Sequence, residues 1–144
     1  MPINLSHAAM RLATGAFILN SGIGKLHLDH DNAEGLKSMA ANAFPALKNM
    51  EADQFGKLLS LGEISVGAAL LTPFIPSRLA GLVLAGFSAS LLRMYFKTPA
   101  LTEADGIRPS QAGTPVSKDV WMLGIAAALI LDRKHKTTSV STPA

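Results

Sequence analysis

The chain has 144 residues, of which 49% are hydrophobic and only 16% are charged, and its formal net charge is +3. A charged share this far below the roughly 25% of soluble domains, together with a mean hydropathy of +0.30, indicates a small multi-pass membrane protein. The dispersed lysines and arginines argue against nucleic acid as a partner. Because the sequence contains no cysteine, it excludes thiol–disulfide exchange, a cysteine nucleophile and a cysteine-ligated metal in this chain.

Four apolar segments in succession predict an all-α fold, an integral membrane antiparallel four-helix bundle. We place the spans at about 5–26, 57–75, 78–97 and 116–132, within a single domain of residues 1–136 that is followed by a disordered tail at 137–144. Arg11 and Lys25 lie about 21 Å apart on the first helix at ~1.5 Å per residue. Their charged ends can therefore reach opposite membrane interfaces.

The polar stretch 27–57 contains apolar residues at helical spacing, which predicts a short amphipathic helix on the membrane surface between helices 1 and 2. These residues are Leu36, Met39, Ala40, Ala43, Phe44, Leu47 and Met50. Pro45 is expected to bend or interrupt this helix. Asp53 is a plausible N-cap of the following helix.

Small residues recur where helices could approach closely. Gly56, just before the second span, and Ser60 and Gly67 within it share a helical face with Glu63, the one ionisable residue well inside that apolar run. In the third span small residues recur every four positions, at Gly81, Ala85 and Ala89 and again at Gly86 and Ser90. Both patterns predict tight helix packing.

Threading four antiparallel helices places one ionisable residue from each helix at the same end of the bundle. These residues are Lys25, Glu63, Arg93 and Asp119, with Asn20, Ser21 and Ser60 at similar depth. An unpaired charge in hydrocarbon costs several kcal/mol, so the sequence predicts that the two cations and two acids neutralise one another. The network either fixes helix register or lines a polar pocket for a quinone head group, a small anion or a loop of a partner.

Other polar and aromatic residues suggest weaker sites. His27 and His30, beside Asp29 and Asp31, could chelate a metal, but we interpret them as a solvated end of the first helix. Tyr95 and Trp121 are expected at the membrane interface as anchors, with stacking against a quinone as the alternative.

Lysine and arginine are dense in the short segments at one side of the predicted bundle, which favours both termini in the cytoplasm. The residues on this side are Arg11, Arg78, Arg133, Lys134 and Lys136. The opposite loops are longer, and acidic residues dilute their basic ones. We therefore expect a multi-pass protein of a bacterial cytoplasmic membrane.

The sequence resembles the DoxX-like family of small four-helix bacterial membrane proteins over most of 8–131. The residues that carry the resemblance are Arg11, Gly15, Ser21-Gly22, Lys25, Glu63, Gly67, Arg78-Leu79-Ala80, Lys118-Asp119 and Leu123-Gly124. The resemblance implies a bundle in the bacterial inner membrane that works with membrane redox assemblies, some relatives being subunits of thiosulfate:quinone oxidoreductase.

Three functions follow as hypotheses. The first is a non-catalytic accessory or anchoring subunit of a membrane redox or respiratory complex, or a homo-oligomer. The second is a quinone-interacting oxidoreductase subunit that uses the polar cluster. The third is a small transporter or lipid-binding protein. We expect no covalently bound cofactor and no activity of the isolated chain, with quinone or lipid as the expected ligand.

Overall fold

The computed structural model describes residues 4–132. Its α-helices are α1 (Leu5–Gly24), α2 (His30–Ala43), α3 (Ala52–Leu71), α4 (Ser77–Lys97), the one-turn α5 (Thr114–Ser117) and α6 (Asp119–Leu131). Short 3-10 turns lie at Lys25–His27, Pro45–Asn49 and Pro99–Leu101. The all-α prediction is confirmed for these residues. The predicted tail at 137–144 and the basic residues Arg133, Lys134 and Lys136 lie outside them.

Helices α1 and α3 form one antiparallel pair, held together at glycines. Gly15 of α1 lies against Leu70, and Gly22 lies against Ile64 and Glu63. A methyl group placed on Gly67 of α3 would come within 2.7 Å of the backbone nitrogen of Leu19. The two backbones therefore approach so closely that larger residues at these positions would force them apart.

Helices α4 and α6 form the second pair. Gly81 packs against Leu129 and Ala126, so the start of α4 meets the end of α6. Side chains from both pairs form one apolar core: Ile18, Val66, Leu70, Ala80, Leu84, Met122, Ala126 and Leu129. The predicted small-residue ladder of α4 is used only at its start, since Ala89 and Ser90 are exposed and Gly86 has open space beside it.

Two stretches within residues 4–132 are long and apolar enough to cross a membrane, Ser77–Lys97 and Thr114–Leu131. Helices α1 and α3 are each 20 residues long but fall short of the same hydropathy. The fourth predicted span corresponds to the second of these stretches, in which Lys118, with helical backbone angles, lies between α5 and α6.

The polar stretch after α1 contains the expected helix, α2, which ends at Ala43 just before Pro45. Its buried face consists of small residues (Ala33, Ala40, Ala41 and Ala43), and it packs on α3 and α4. Asp53 is not the N-cap of α3, because that position belongs to Glu51. Asp53 instead lies in the first turn of α3, where its carboxylate binds His30.

Arg11 does not extend toward the membrane interface but is buried against the end of α3. Its guanidinium donates to the carbonyl oxygens of Leu70 (2.8 Å), Ala69 (3.2 Å), Thr72 (2.6 Å) and Ile75 (2.8 Å), and to Ser77 Oγ (3.3 Å). A helix end leaves its last carbonyls without donors, and Pro73 and Pro76 have no N–H to offer them. Arg11 supplies those donors from another helix.

Candidate functional site

A cavity of about 300 Å³ lies between the two helix pairs, at the end where α1 stops and α6 starts. Its wall is mainly apolar: Phe17, Ile18, Leu36, Ala40, Phe44, Leu47, Phe55, Leu59, Phe87, Leu91, Met94, Val116 and Met122. Six polar side chains complete the lining: Ser21, Lys25, Glu63, Ser90, Lys118 and Asp119. The lining residues run from Phe17 in α1 to Met122 in α6, so the wall is built from segments far apart in sequence.

Lys25 and Glu63 form an ion pair across the α1–α3 interface. The Nζ atom of Lys25 lies 2.9 Å from Oε2 of Glu63 and donates a second hydrogen bond to Ser21 Oγ at 2.6 Å. Glu63 is 5% exposed, and Lys25 is the cation that compensates a carboxylate at this buried position. Gly22, which has no side chain, lets α1 lie close to the Glu63 Cβ atom. The pair therefore depends on the tight packing of the two helices.

Lys118 and Asp119, at the start of α6, form a second and looser pair in the cavity lining. Lys118 Nζ lies 3.6 Å from Asp119 Oδ1, beyond hydrogen-bond distance, and 5.3 Å from the centroid of the Phe17 ring. Asp119 is 2% exposed. Its Oδ1 atom is buried and accepts no hydrogen bond from residues 4–132.

Arg93 is not brought to the two acids. Its side chain is exposed, its Nε atom donates to the carbonyl oxygen of Ala43 at 3.1 Å, and its guanidinium carbon lies 5.2 Å from the centroid of the Phe44 ring. A cation at the carbonyl end of a helix is favourable because the last carbonyls lack donors. Arg93 therefore fixes the end of α2 over the cavity, and Lys118 takes the place that the sequence assigned to Arg93.

Asn20 and Ser60 are near the cluster but do not contact its charges. Asn20 is exposed, and it makes no hydrogen bond through its side chain within the described residues. Ser60 is fully buried and donates from Oγ to the carbonyl oxygen of Gly22 at 2.7 Å. Ser60 thus ties α3 to α1 beside the Lys25–Glu63 pair.

Tyr95 and Trp121 do not line the cavity. Tyr95 is 3% exposed, and its hydroxyl donates to the carbonyl oxygen of Ile107 at 2.9 Å, which fixes the loop between α4 and α5. It is therefore buried in the protein rather than placed at an interface. Trp121 is 74% exposed on α6, a position suited to an anchor and not to stacking on a ligand in the cavity.

The two candidate metal-binding histidines are not joined in one site. No group of three or more His, Asp or Glu side chains within residues 4–132 is placed to hold a metal ion. His30 Nδ1 lies 3.0 Å from Asp53 Oδ1, and this hydrogen bond, together with the negative charge of Asp53, raises the pKa of His30. His27 lies in the 3-10 turn after α1 and is exposed.

The sequence analysis placed Ser21 at the depth of the cluster but did not identify it as a partner of Lys25. It missed two further contributors: Lys118 as the cation beside Asp119, and the aromatic ring of Phe17. Lys118 carried a usable signal, since it directly precedes Asp119 and lies at the same end of the bundle as Lys25. No signal in the sequence could have identified the partner of Arg93, because that partner is a backbone carbonyl, which every residue has.

The arrangement combines a hydrophobic chamber with two lysines and two carboxylates, so the charges of the four groups offset one another. Such a chamber suits a small, mostly apolar molecule with a few polar atoms at one end. No family model, no curated protein and no solved structure matches this chain. The DoxX-like resemblance therefore stays a prediction.

Proposed function

We propose that this chain is a DoxX-like four-helix integral membrane protein of a bacterial cytoplasmic membrane. The observation that carries the proposal is that large hydrophobic side chains are exposed on α1, α3, α4 and α6. They include Leu12, Phe17, Ile23, Leu58, Leu61, Leu79, Leu82, Val83, Phe96, Val120, Trp121 and Leu131. Soluble monomers rarely expose apolar surface on this scale, whereas lipid requires it.

Two charged residues that lower the hydropathy of α1 and α3, Arg11 and Glu63, are buried and have partners, which supports membrane spans for these helices as well. Arg11 binds carbonyl oxygens at the end of α3, and Lys25 pairs with Glu63. A 20-residue helix is about 30 Å long, the thickness of a hydrocarbon core. Ionisable residues inside a membrane are tolerated when they face the protein and are paired.

The proposed topology has both termini in the cytoplasm, and the chain suits a direct test because it has no cysteine. Phe74 is exposed in the turn between α3 and α4, and Gln111 is exposed in the loop before α5. In spheroplasts, a membrane-impermeant maleimide should label Gln111→Cys and should label Phe74→Cys only after lysis. Labelling of both positions before lysis would contradict the proposed orientation and four-span topology.

As its role in that membrane, we propose a non-catalytic accessory subunit that anchors a redox or respiratory partner. What supports this role is the exposed small-residue surface of α4, where Gly86 and Ala89 would allow another transmembrane helix to approach closely. Purification in mild detergent followed by native mass spectrometry should yield a stoichiometric partner. Gly86→Leu should release that partner, whereas Gly62→Leu, at another open position, should retain it. A homo-oligomer or an isolated monomer would contradict the accessory role.

The cavity favours a second candidate function, a quinone-interacting subunit that holds a small lipophile. Its apolar wall and its charged end match a molecule with a ring and a short tail. A small anion is a poorer fit, because Glu63 and Asp119 offset the two lysines. Protein in nanodiscs should bind a decyl-substituted benzoquinone probe. Ala40→Leu adds three carbon atoms to a buried position in the cavity wall and should abolish that binding. If the unmodified protein and Ala40→Leu bind the probe equally well, the cavity is not the binding site.

A further inference from the structure

The polar end of the cavity contains a hydrogen-bond acceptor without a donor. Oδ1 of Asp119 is buried, belongs to a residue that lines the cavity, and accepts no hydrogen bond from residues 4–132. A buried carboxylate oxygen without a donor is costly, and native structures seldom retain one without a reason. The neighbouring cation, Lys118 Nζ, lies 3.6 Å away, too far for a hydrogen bond.

The balance of charge restricts what could supply the missing donor. Lys25 and Glu63 neutralise each other at 2.9 Å, and Lys118 already lies beside Asp119. A cationic ligand would add a net positive charge, and an anionic ligand a net negative charge, to a wall that is otherwise apolar. The donor is therefore best carried by a neutral molecule.

The position of the cavity restricts how that molecule enters. Phe17 on α1 and Ser90 on α4 line the cavity, and both residues are exposed. The cavity thus opens to the surface between α1 and α4, two helices that the proposed membrane would surround with lipid. A ligand that enters there comes from the bilayer and must be lipophilic.

We infer that the cavity binds a neutral lipophile whose polar end is a hydroxyl group. The hydroxyl donates to Asp119 Oδ1 and can accept from Lys118 Nζ, since a hydroxyl is both donor and acceptor. A ketone or an ether can only accept, so it leaves Asp119 without a donor. The inference rests on the second candidate function, that the cavity is a ligand site, and it specifies the polar end of the ligand. An aromatic quinol and an aliphatic alcohol share this chemistry.

The test compares ligands of the same skeleton on the unmodified protein in nanodiscs, with protein-free nanodiscs as the reference for partitioning. The probes are a decyl-substituted benzoquinol, its dimethyl ether, 1-dodecanol and the methyl ether of 1-dodecanol. A hydrogen bond to a charged group is expected to give at least one hydroxyl probe an affinity on the order of tenfold above its ether. If only the quinol binds more tightly than its ether, the natural ligand is an aromatic quinol. If 1-dodecanol binds more tightly than its ether, the natural ligand is an aliphatic alcohol.

Equal affinity of each hydroxyl probe and its ether would overturn the inference while leaving the cavity as a ligand site. Failure of all four probes, and of the quinone, would overturn the cavity function as well. Asp119→Leu removes the acceptor at similar size and should reduce the hydroxyl preference to less than about twofold, with ether binding retained. Glu103→Leu, an exposed acid in the loop outside the cavity, should keep the full preference.

Discussion

At the scale of single residues, loss of the Lys25–Glu63 ion pair should destabilise the folded protein more than loss of an ion pair at the surface. Glu63 is 5% exposed and lies 2.9 Å from Lys25 Nζ. Removing one partner of a buried pair leaves an uncompensated charge, at a cost of roughly 3–5 kcal/mol. We therefore expect Glu63→Gln to lower the free energy of unfolding in detergent by a few kcal/mol. The pair of Glu34 and Lys37, in which the Glu34 side chain is 46% exposed, provides the control. Glu34→Gln should change the free energy of unfolding by less than about 1 kcal/mol. Equal stability of the two variants would show that Glu63 does not depend on Lys25.

His30 gives a prediction of pH dependence at the surface of the protein. Its pKa is raised by Asp53 through a hydrogen bond and charge attraction, with smaller contributions from Asp31 and Glu34. A raised pKa in the folded state means that the pair stabilises the protein fully below the unfolded-state value of about 6.5. That contribution is lost as the pH rises through the folded-state pKa. An NMR titration should show Asp53→Asn lowering the pKa of His30; an unchanged pKa would rule out the pair.

At the scale of secondary-structure elements, Arg11 should determine how α3 ends. It donates to four carbonyl oxygens at and beyond the last turn of α3, including that of Ala69, whose usual donor position is occupied by Pro73. Arg11→Ala should lower the free energy of unfolding by about 3 kcal/mol, because hydrogen bonds to a charged group contribute ~1.5–3 kcal/mol each and some are replaced by water. Arg11→Lys should recover less than half, since an ammonium cannot reach all these acceptors at once.

The matched control for Arg11 is Arg78→Ala. Arg78 lies in the first turn of α4, close in sequence to the same turn, and its side chain is exposed. Its loss should leave stability within about 0.5 kcal/mol of the unmodified protein. If Arg11→Ala behaves like Arg78→Ala in thermal unfolding, the guanidinium is not what terminates α3.

The contact between α1 and α3 gives a prediction in which two glycines of one helix respond oppositely. A methyl group on Gly67 would meet the backbone of Leu19 at 2.7–2.8 Å, whereas Gly62 has nothing within 4 Å. Gly67→Ala should therefore destabilise the protein by about 1–3 kcal/mol through overpacking. Gly62→Ala should stabilise it by up to ~1 kcal/mol through helix propensity. Thermal unfolding measures both, and a stabilising Gly67→Ala would contradict the close approach of the helices.

At the scale of the whole molecule, the sequence predicted helices better than it predicted partners. Hydrophobic runs and small residues are local signals, so the helical segments and the buried face of Gly56, Ser60, Glu63 and Gly67 could be read directly. The position of Lys25 opposite Glu63 followed from counting residues along antiparallel helices. The partners of Arg11, Arg93 and Tyr95 could not be predicted, because each binds a backbone carbonyl that any sequence would present.

The exposed Asn20 and the buried Tyr95 show that the sequence also did not predict the direction in which a side chain points. Depth along a helix is set by its rise per residue, but the direction in which a side chain points depends on how the helices are rotated against one another. Asn20 lies at the depth of the charged cluster yet faces outward, and Tyr95 lies at an expected interface yet faces the protein. The loop that covers Tyr95 decides its burial, and no periodic pattern marks that loop.

At the scale of the whole molecule, Arg93 also links α4 to the end of α2, which belongs to neither helix pair. From α4 it binds the carbonyl oxygen of Ala43 and the ring of Phe44, and so holds the segment that covers the cavity. Its side chain is exposed, so Arg93→Ala should cost only about 1 kcal/mol of global stability. The same substitution should increase backbone amide hydrogen exchange in residues 40–50, while exchange in the central residues of α1 and α3 stays unchanged. Lys97→Ala, one turn further along α4 and also exposed, should leave both regions unchanged. Unaltered exchange across 40–50 in Arg93→Ala would mean that α2 is held by its alanine face alone.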